Sequence, residues 1–281
     1  MPTDSVLLGG RPVRRMGFGG MQLPGPGVFG PPVDRGLALA VLRRAVDAGV
    51  NHIDTAQFYG PDVANELLRE ALHPYPDDLV LVSKVGAARG DQGQWLAAQR
   101  PDQLRSGVEA NLVSLGLEQV PVVNLRRHPE SDAPLTEQLD LTEALRQEGL
   151  IGSIGLSNID LEQYRTARSM IDVACVQNPY NVVDTSGVDV FEACRSDGIP
   201  FVPFFPLGSA FNSENPVLGA PSVENTAHRL GVTPAQVALA WLPHLAPSVL
   251  VIPGTSPLVH LEENLAAADL LLDEEALDVL P

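Results

Sequence analysis

The sequence predicts an α/β chain folded as a single (β/α)8 barrel over residues 1–281, with a short β-hairpin at its N-terminal end. Three observations lead there. Eight strand candidates, counted from Met16, alternate with stretches of helical period. The run Leu79-Val80-Leu81-Val82-Ser83-Lys84 is continuously apolar up to its last residues, as strands covered on both faces are. No linker or low-complexity segment breaks the alternation, and 281 residues at 44% hydrophobic content suit one barrel. The alternative from the same pattern is an open, doubly wound sheet.

Residues 5–8 and 12–15 flank Gly9-Gly10 and read as the hairpin. Met16 to Met21 is a short, Gly-rich first strand and loop. Gly25-Pro26-Gly27-Val28-Phe29-Gly30 matches G-x-G-x-x-G, but Pro26, Pro31 and Pro32 favour an irregular loop over the helix a dinucleotide fingerprint needs. Asp34 caps a helix that stops at Gly49, with Ala38, Val41, Leu42, Ala45 and Val46 on its apolar side. Residues 51–54 form the second strand, 62–72 a helix, and 79–84 the third strand. A helix over 101–115 stops at Gly116 and leads to a strand from Val120 to Leu125. Residues 136–148 are helical, Ile151 to Leu156 a strand, 160–171 helical, and Val173 to Gln177 a strand. Residues 187–197 are helical and Ile199 to Phe204 a strand. Two helices follow, over 221–230 and from Thr233-Pro234-Ala235-Gln236, a capping box with proline at the first helical position. Val249 to Ile252 is the last strand, and a helix over 257–267 has Ser256 as its expected cap. The tail from Asp273 to Pro281 is too short for a further domain.

A net charge of −17 argues against nucleic acid, which needs a basic footprint. It leaves room for an anionic small molecule in one locally positive pocket. Cys175 and Cys194 lie in apolar contexts and read as reduced, buried thiols. No signal peptide and no membrane span are apparent, so the expectation is a soluble, cytoplasmic protein, monomer or homo-oligomer, acting on a small molecule.

Chemistry in such barrels collects at the carboxyl ends of the strands. Asp54 and Tyr59 come first, then Lys84, then Asn124, Arg126 and His128, then Ser157 and Asn158, Gln177, Phe204 and Phe205, and last Gly254, Thr255 and Ser256. A lysine ending an apolar strand is costly unless paired, and Asp54 is its natural partner. The Lys84 charge would make the phenol of Tyr59 a better donor of its proton to a carbonyl oxygen. The plainer reading is an Asp–Lys pair that only stabilises the rim. Ser157, Asn158 and Gln177 offer groups that suit a carboxamide, and Phe204 offers a flat apolar face, as a nicotinamide would need.

At these residues the chain resembles an aldo-keto reductase, from about residue 5 to residue 270. The motifs are Val50-Asn51-His52-Ile53-Asp54-Thr55-Ala56 with Tyr59-Gly60, Lys84, Ile154-Gly155-Leu156-Ser157-Asn158, Val176-Gln177-Asn178, Phe205-Pro206-Leu207-Gly208, Thr233 to Trp241, and Ile252-Pro253-Gly254-Thr255 with Glu263-Asn264. The resemblance implies a barrel that binds NADPH in extended form, with NAD less favoured, and passes hydride to a carbonyl. It implies Tyr59 as proton donor, Lys84 as its activator and Asp54 as the holder of Lys84. Ser157, Asn158 and Gln177 would hold the carboxamide and Phe204 would stack on the nicotinamide. Phe205, Pro206, Leu207, Gly208, Gly254, Thr255, Ser256, His260, Glu263 and Asn264 would complete the cofactor site, with Phe29, Trp95 and His128 around the substrate and no metal. The loop Gly25 to Pro32, Asn124-Leu125-Arg126 and Pro203 to Gly208 are most similar to the pyridoxal-reducing branch of the family, which implies pyridoxal as substrate.

Two positions depart from the family pattern. The histidine that usually ends the fourth strand falls on Arg126; His128, two residues on, is the alternative. Arg126 brings a fixed cation and a fork of donors to a carbonyl, phenolate or phosphate; its plainer reading is a salt bridge to a rim carboxylate. The lysine and arginine that often hold a 2′-phosphate fall on Gly254 and His260, leaving that task to backbone N–H groups of Gly254 to Ser256. Two other functions fit parts of the sequence: a nicotinamide-binding regulatory or scaffold barrel, and a metal-dependent hydrolase using His52, Asp54 and His128.

Overall fold

The computed structural model describes residues 5–129, 131–208 and 215–281. Strands β1 (Ser5–Leu8) and β2 (Arg11–Arg14) form the N-terminal hairpin. It plugs one end of a barrel: Leu8 and Val13 pack with Val80, Val82, Val122, Cys175, Val202, Leu250 and Ile252. A parallel sheet then runs in chain order through β3 (Phe18–Gly19), β4 (His52–Asp54), β5 (Val80–Val85), β8 (Val120–Arg126), β9 (Ile151–Ser157) and β10 (Val173–Gln177).

The seventh and eighth places are filled by the stretches around Phe201 and Val249 to Val251. They are held by parallel bridges Val176–Phe201, Phe201–Val249 and Met16–Val251. The last closes the ring, with the Gly17 amide donating to the Val251 carbonyl and the Val251 amide to the Arg15 carbonyl, each at 2.8 Å. The architecture is the expected (β/α)8 barrel. The strands expected over 199–204 and 249–252 are thinner than expected: Pro200 and Pro203 have no N–H to give in the first, and the second pairs through single bridges at Val249 and Val251.

The helices surround this sheet. They are α1 (Arg35–Asp47), α2 (Val63–Leu72), α3 (Pro101–Leu115), α4 (Leu135–Gln147), α5 (Leu161–Met170), α6 (Val188–Asp197), α7 (Pro221–Leu230), α8 (Pro234–Leu245), α9 (Leu258–Ala266) and α10 (Glu274–Val279). Asp34 caps α1 by accepting from the Leu37 amide at 2.9 Å, and Thr233 with Gln236 forms the capping box of α8. Gly116 ends α3 in the left-handed region, at φ 67°, where a side chain would be strained. Ser256 does not cap α9 as expected. Pro257 holds that position, and the Ser256 hydroxyl donates across the barrel lip to the Gln22 carbonyl at 2.7 Å. The tail forms α10, whose Ala276 joins the main core with Leu280. A second hairpin, β6 (Ala87–Arg89) with β7 (Trp95–Ala97), rises after β5 and was not foreseen. The G-x-G-x-x-G loop is a 3-10 turn at Pro26–Val28 that leads into extended chain. Both cysteines are buried and neither forms a disulfide. No helix among the described residues is long and apolar enough to cross a membrane.

Side chains two apart on a strand share a face. Ile53 of β4 packs outward against α1 and α2 residues, so His52 and Asp54 face the barrel interior. His52 is 1% exposed, and its ring lies against Gly17, where a Cβ would stand 2.2 Å from Nε2. Burial pushes the His52 pKa down to about 4. The unfolded side chain takes its proton near pH 6.5. Stability contributed by neutral His52 is therefore present above pH 6.5 and lost as pH falls towards 4, by roughly 3 kcal/mol. Urea unfolding at pH 7 and pH 4.5 should show a smaller acid loss for His52→Leu than for the parent chain. Equal losses would remove His52 from the acid response.

Candidate active site

A cavity of about 470 Å³ opens at the carboxyl ends of the strands. Its floor is ionic. Lys84 near the end of β5 and Asp54 at the end of β4 form a buried pair, with the ammonium donating to Asp54 Oδ1 and, at 3.0 Å, to the Thr55 carbonyl. Gln177, ending β10, donates from Nε2 to the other Asp54 oxygen at 2.8 Å. The Lys84 nitrogen lies 5.0 Å from the centroid of the Tyr59 ring. Burial works against the Lys84 charge, but the Asp54 carboxylate and Tyr59 outweigh it, so its pKa stands above the ordinary lysine value. Its partners thus favour the ammonium form of Lys84.

Outside the barrel wall, a buried polar network fixes the two strand ends. Thr55 Oγ1 donates to Asn65 Oδ1 at 2.8 Å, and Asn65 Nδ2 donates to Asn111 Oδ1 at 2.9 Å and to Ser114 Oγ at 3.0 Å. Ser83 donates to the same Asn111 oxygen, and Asn111 Nδ2 reaches the Lys84 carbonyl at 3.3 Å. Thus α2 and α3 hold the segments on either side of the ion pair. Sequence reasoning missed these residues. The available signal was an asparagine on the apolar side of each helix, which is costly unless hydrogen-bonded.

Arg126 ends β8 opposite Ser157 of β9 and donates from Nη1 to Ser157 Oγ at 3.2 Å. Its guanidinium carbon stands 5.2 Å from the Phe204 ring centroid. No carboxylate among the described residues forms an ion pair with it. Burial lowers its pKa from the ordinary arginine value, against the pull of Tyr59 and Asp54. The guanidinium thus faces the cavity as a second cation with most of its donors unused.

Asp54, Tyr59, Lys84, Trp95, Arg126, Gln177, Phe204 to Gly208 and Gly254 all line this cavity. Ser157 sits behind Arg126. Asn158, at φ 57°, donates to the Arg127 carbonyl at 3.0 Å and lines a neighbouring cleft together with His128. Thr255 and Asn264 are buried, His260 is exposed, and Glu263 is half-buried on α9. Ser256 lines a groove with the loop from Met21 to Asp34. Phe29 stands outside the cavity proper. Gly19, Met21, Gln22, Phe58, Ile252 and Pro253 also line it and were not singled out from sequence. Gly19 and Gly254 form a close backbone seam, since a Cβ on either would lie 2.5 Å from a carbonyl oxygen of the other strand. His52 lies one layer below Asp54, and no group of three or more metal-ligating side chains converges among the described residues.

Removing one partner of a buried ion pair strands the other charge. Asp54→Ala should lower stability by roughly 3–5 kcal/mol in urea unfolding. Adding Lys84→Met should recover much of that loss. Additive losses in the double variant would show that the pair is not coupled.

Residues 15–280 match the Aldo/keto reductase family. The chain is 46% identical to a pyridoxine 4-dehydrogenase from Escherichia coli, across all of this chain and 98% of the relative. It is 36% identical to an oxidoreductase from Schizosaccharomyces pombe, across 97% of this chain and 87% of the relative. Among solved structures it resembles an aldo/keto reductase from Klebsiella pneumoniae in complex with NADP and acetate. That match has a TM-score of 0.82 and 27% identity, covering 98% of this chain and 93% of the other. A thermostable aldo-keto reductase in complex with the inhibitor epalrestat matches with the same TM-score at 29% identity, covering 98% and 97%. With its buried carboxylate, ammonium and phenol at the barrel mouth, the chain belongs to the aldo/keto reductase family of oxidoreductases.

Proposed function

We propose that residues 1–281 act as one barrel domain that reduces pyridoxal to pyridoxine with NADPH. The observation that carries this reading is the pairing of Tyr59, set against the Lys84–Asp54 ion pair, with an Arg126 guanidinium in the same cavity that meets no carboxylate among the described residues. The Escherichia coli relative, a pyridoxine 4-dehydrogenase, supports the substrate, and the NADP complex of the Klebsiella pneumoniae reductase supports the cofactor.

The residues present fit a nicotinamide dinucleotide. Gly19 and Gly254 offer a flat backbone seam beside the cavity, and no side chain caps the N-terminus of α9. Its first-turn N–H groups and His260 suit a phosphate. Gln177 spends its amide nitrogen on Asp54, and its Oε1 remains to accept from a carboxamide. Ser157, Asn158 and Phe204 to Gly208 complete the cradle on this reading.

When bound, NADPH supplies the hydride for the carbonyl carbon. Tyr59 delivers the proton to the carbonyl oxygen, and Lys84 stabilises the phenolate left behind. Asp54, held by Gln177, keeps Lys84 in place. Arg126 polarises the carbonyl with a charge that does not titrate near neutral pH. Pyridoxal carries a phenolic oxygen on the ring carbon next to its aldehyde, so one guanidinium fork spans both oxygens. Two thiols outside any disulfide and a net charge of −17 suit a cytoplasmic enzyme.

Tyr59→Phe should lower turnover roughly 10²–10⁴-fold. NADPH binding, followed by fluorescence titration, should be nearly intact; unchanged turnover would sink the mechanism. Arg126→Ala should impair pyridoxal reduction more than His128→Ala, and the reverse order would move the polarising role to His128. A panel of pyridoxal, aromatic aldehydes and open-chain sugars tests the substrate, with a preference for sugars overturning the choice.

A further inference from the structure

Arg89 ends β6 and faces Trp95 across the second hairpin. Its guanidinium lies between two aromatic rings, 4.0 Å from the Trp95 centroid and 5.3 Å from that of Phe29. All of its nitrogens are engaged. Nη1 donates to the Val28 carbonyl at 2.8 Å and Nη2 to the Gly27 carbonyl at 2.9 Å. Nε and Nη2 donate to the Gly93 carbonyl at 3.1 and 2.7 Å. The fork therefore joins two loops that are more than sixty residues apart in sequence.

The loop it grips is strained. Val28 is β-branched yet sits at φ 58°, a conformation such residues rarely adopt. On its far side the same loop is tied to the catalytic rim, where the Gly30 amide donates to the Gly60 carbonyl at 3.0 Å, one residue after Tyr59. On the hairpin side, Trp95 meets Phe58 edge-on at 5.9 Å, and Phe58 meets Tyr59 edge-on at 5.4 Å. Trp95, Phe58 and Tyr59 all line the cavity; Arg89 and Phe29 stand behind it.

We propose that Arg89 is a positioning residue for substrate selection. Its guanidinium clamps the Gly25–Gly30 loop to the hairpin and sets Trp95 as the wall against which a flat aromatic aldehyde lies. The inference rests on the reductase reading and adds the element that selects planar substrates. A lysine could keep a charge beside Trp95 but lacks the rigid fork of donors that reaches the Gly27, Val28 and Gly93 carbonyls. Small aliphatic aldehydes make little use of such a wall. The hydrogen bonds of Arg89 run to Gly27, Val28 and Gly93 and to none of Gly254, Thr255 or Ser256.

The test compares pyridoxal and propanal with Arg89→Met and Arg89→Lys. For Arg89→Met, KM for pyridoxal should rise roughly tenfold to hundredfold, the range that pocket contacts command, while kcat, the propanal kcat/KM and NADPH affinity stay near the parent values. Arg89→Lys should recover only part of the pyridoxal KM. Phe29→Leu, which removes one face of the sandwich and leaves every hydrogen bond, should shift the pyridoxal KM in the same direction by less. It serves if Arg89→Met does not fold. Equal losses with both aldehydes, or an unchanged pyridoxal KM, would overturn the proposal, as would full recovery in Arg89→Lys. If the parent chain reduces neither aldehyde, the reductase reading falls first. The clamp is then judged by Trp95 emission, read as the difference from Trp95→Phe, which the clamp requires to change in Arg89→Met.

Discussion

The structure depends on keeping one ammonium and one carboxylate dry at the end of a barrel. Taking both from water is expensive, and their mutual attraction repays it only when the remaining donors and acceptors are satisfied. Here they are. Thr55 takes a second Lys84 proton on its carbonyl, and Gln177 fills the second Asp54 oxygen. Thr55, Ser83 and the Lys84 carbonyl are anchored in turn by Asn65 and Asn111. The pair thus ties together β4, β5 and β10, and α2 and α3 tie down the pair. Tyr59 inherits its surroundings from that arrangement. An acidic protein, at net charge −17, turns two cations into the cavity at the carboxyl ends of its strands. The low-dielectric walls strengthen both towards an electron-rich substrate.

Much of this was legible because barrel topology does the gathering. Once alternation and burial fix parallel strands, residues at successive carboxyl ends must share a rim, whatever their distance in sequence. Asp54, Lys84 and Arg126 could be brought together on that ground. Helices were legible through spacing and caps, Asp34 and Thr233 being the plainest. The seventh and eighth strands were overdrawn because an apolar run signals burial but not pairing, and in the seventh Pro200 and Pro203 remove donors that pairing needs. Ser256 looked like a helix cap by type and place, but a closer carbonyl, that of Gln22, claims its hydroxyl.

Other parts had no local signature. Residue 89 is one arginine in a Gly-rich stretch; its meaning comes from carbonyls at Gly27 and Val28, which only the fold brings near. Asn65 and Asn111 interrupt apolar helix faces, and sequence offers no way to pair them with each other. The two-residue ambiguity between Arg126 and His128 turned on where β8 stops. The strand runs through Arg126, opposite Ser157, and the chain then leaves the barrel, carrying His128 into the neighbouring cleft.

Barrel closure has a consequence for how long the protein lasts. Six strands pair continuously, while the ring is completed by separate bridges at Phe201, Val249 and Val251. Sparse pairing leaves this sector fewer ladder hydrogen bonds to break when the structure opens locally. The residues proposed to cradle the dinucleotide, Phe204 to Gly208 and Gly254 to Ser256, flank that same sector. A ligand bound there penalises every opened form by mass action. On this reading the nicotinamide pool does more than set the rate of turnover. It governs how often the barrel exposes itself to proteases, and a cell short of the cofactor would clear the enzyme sooner.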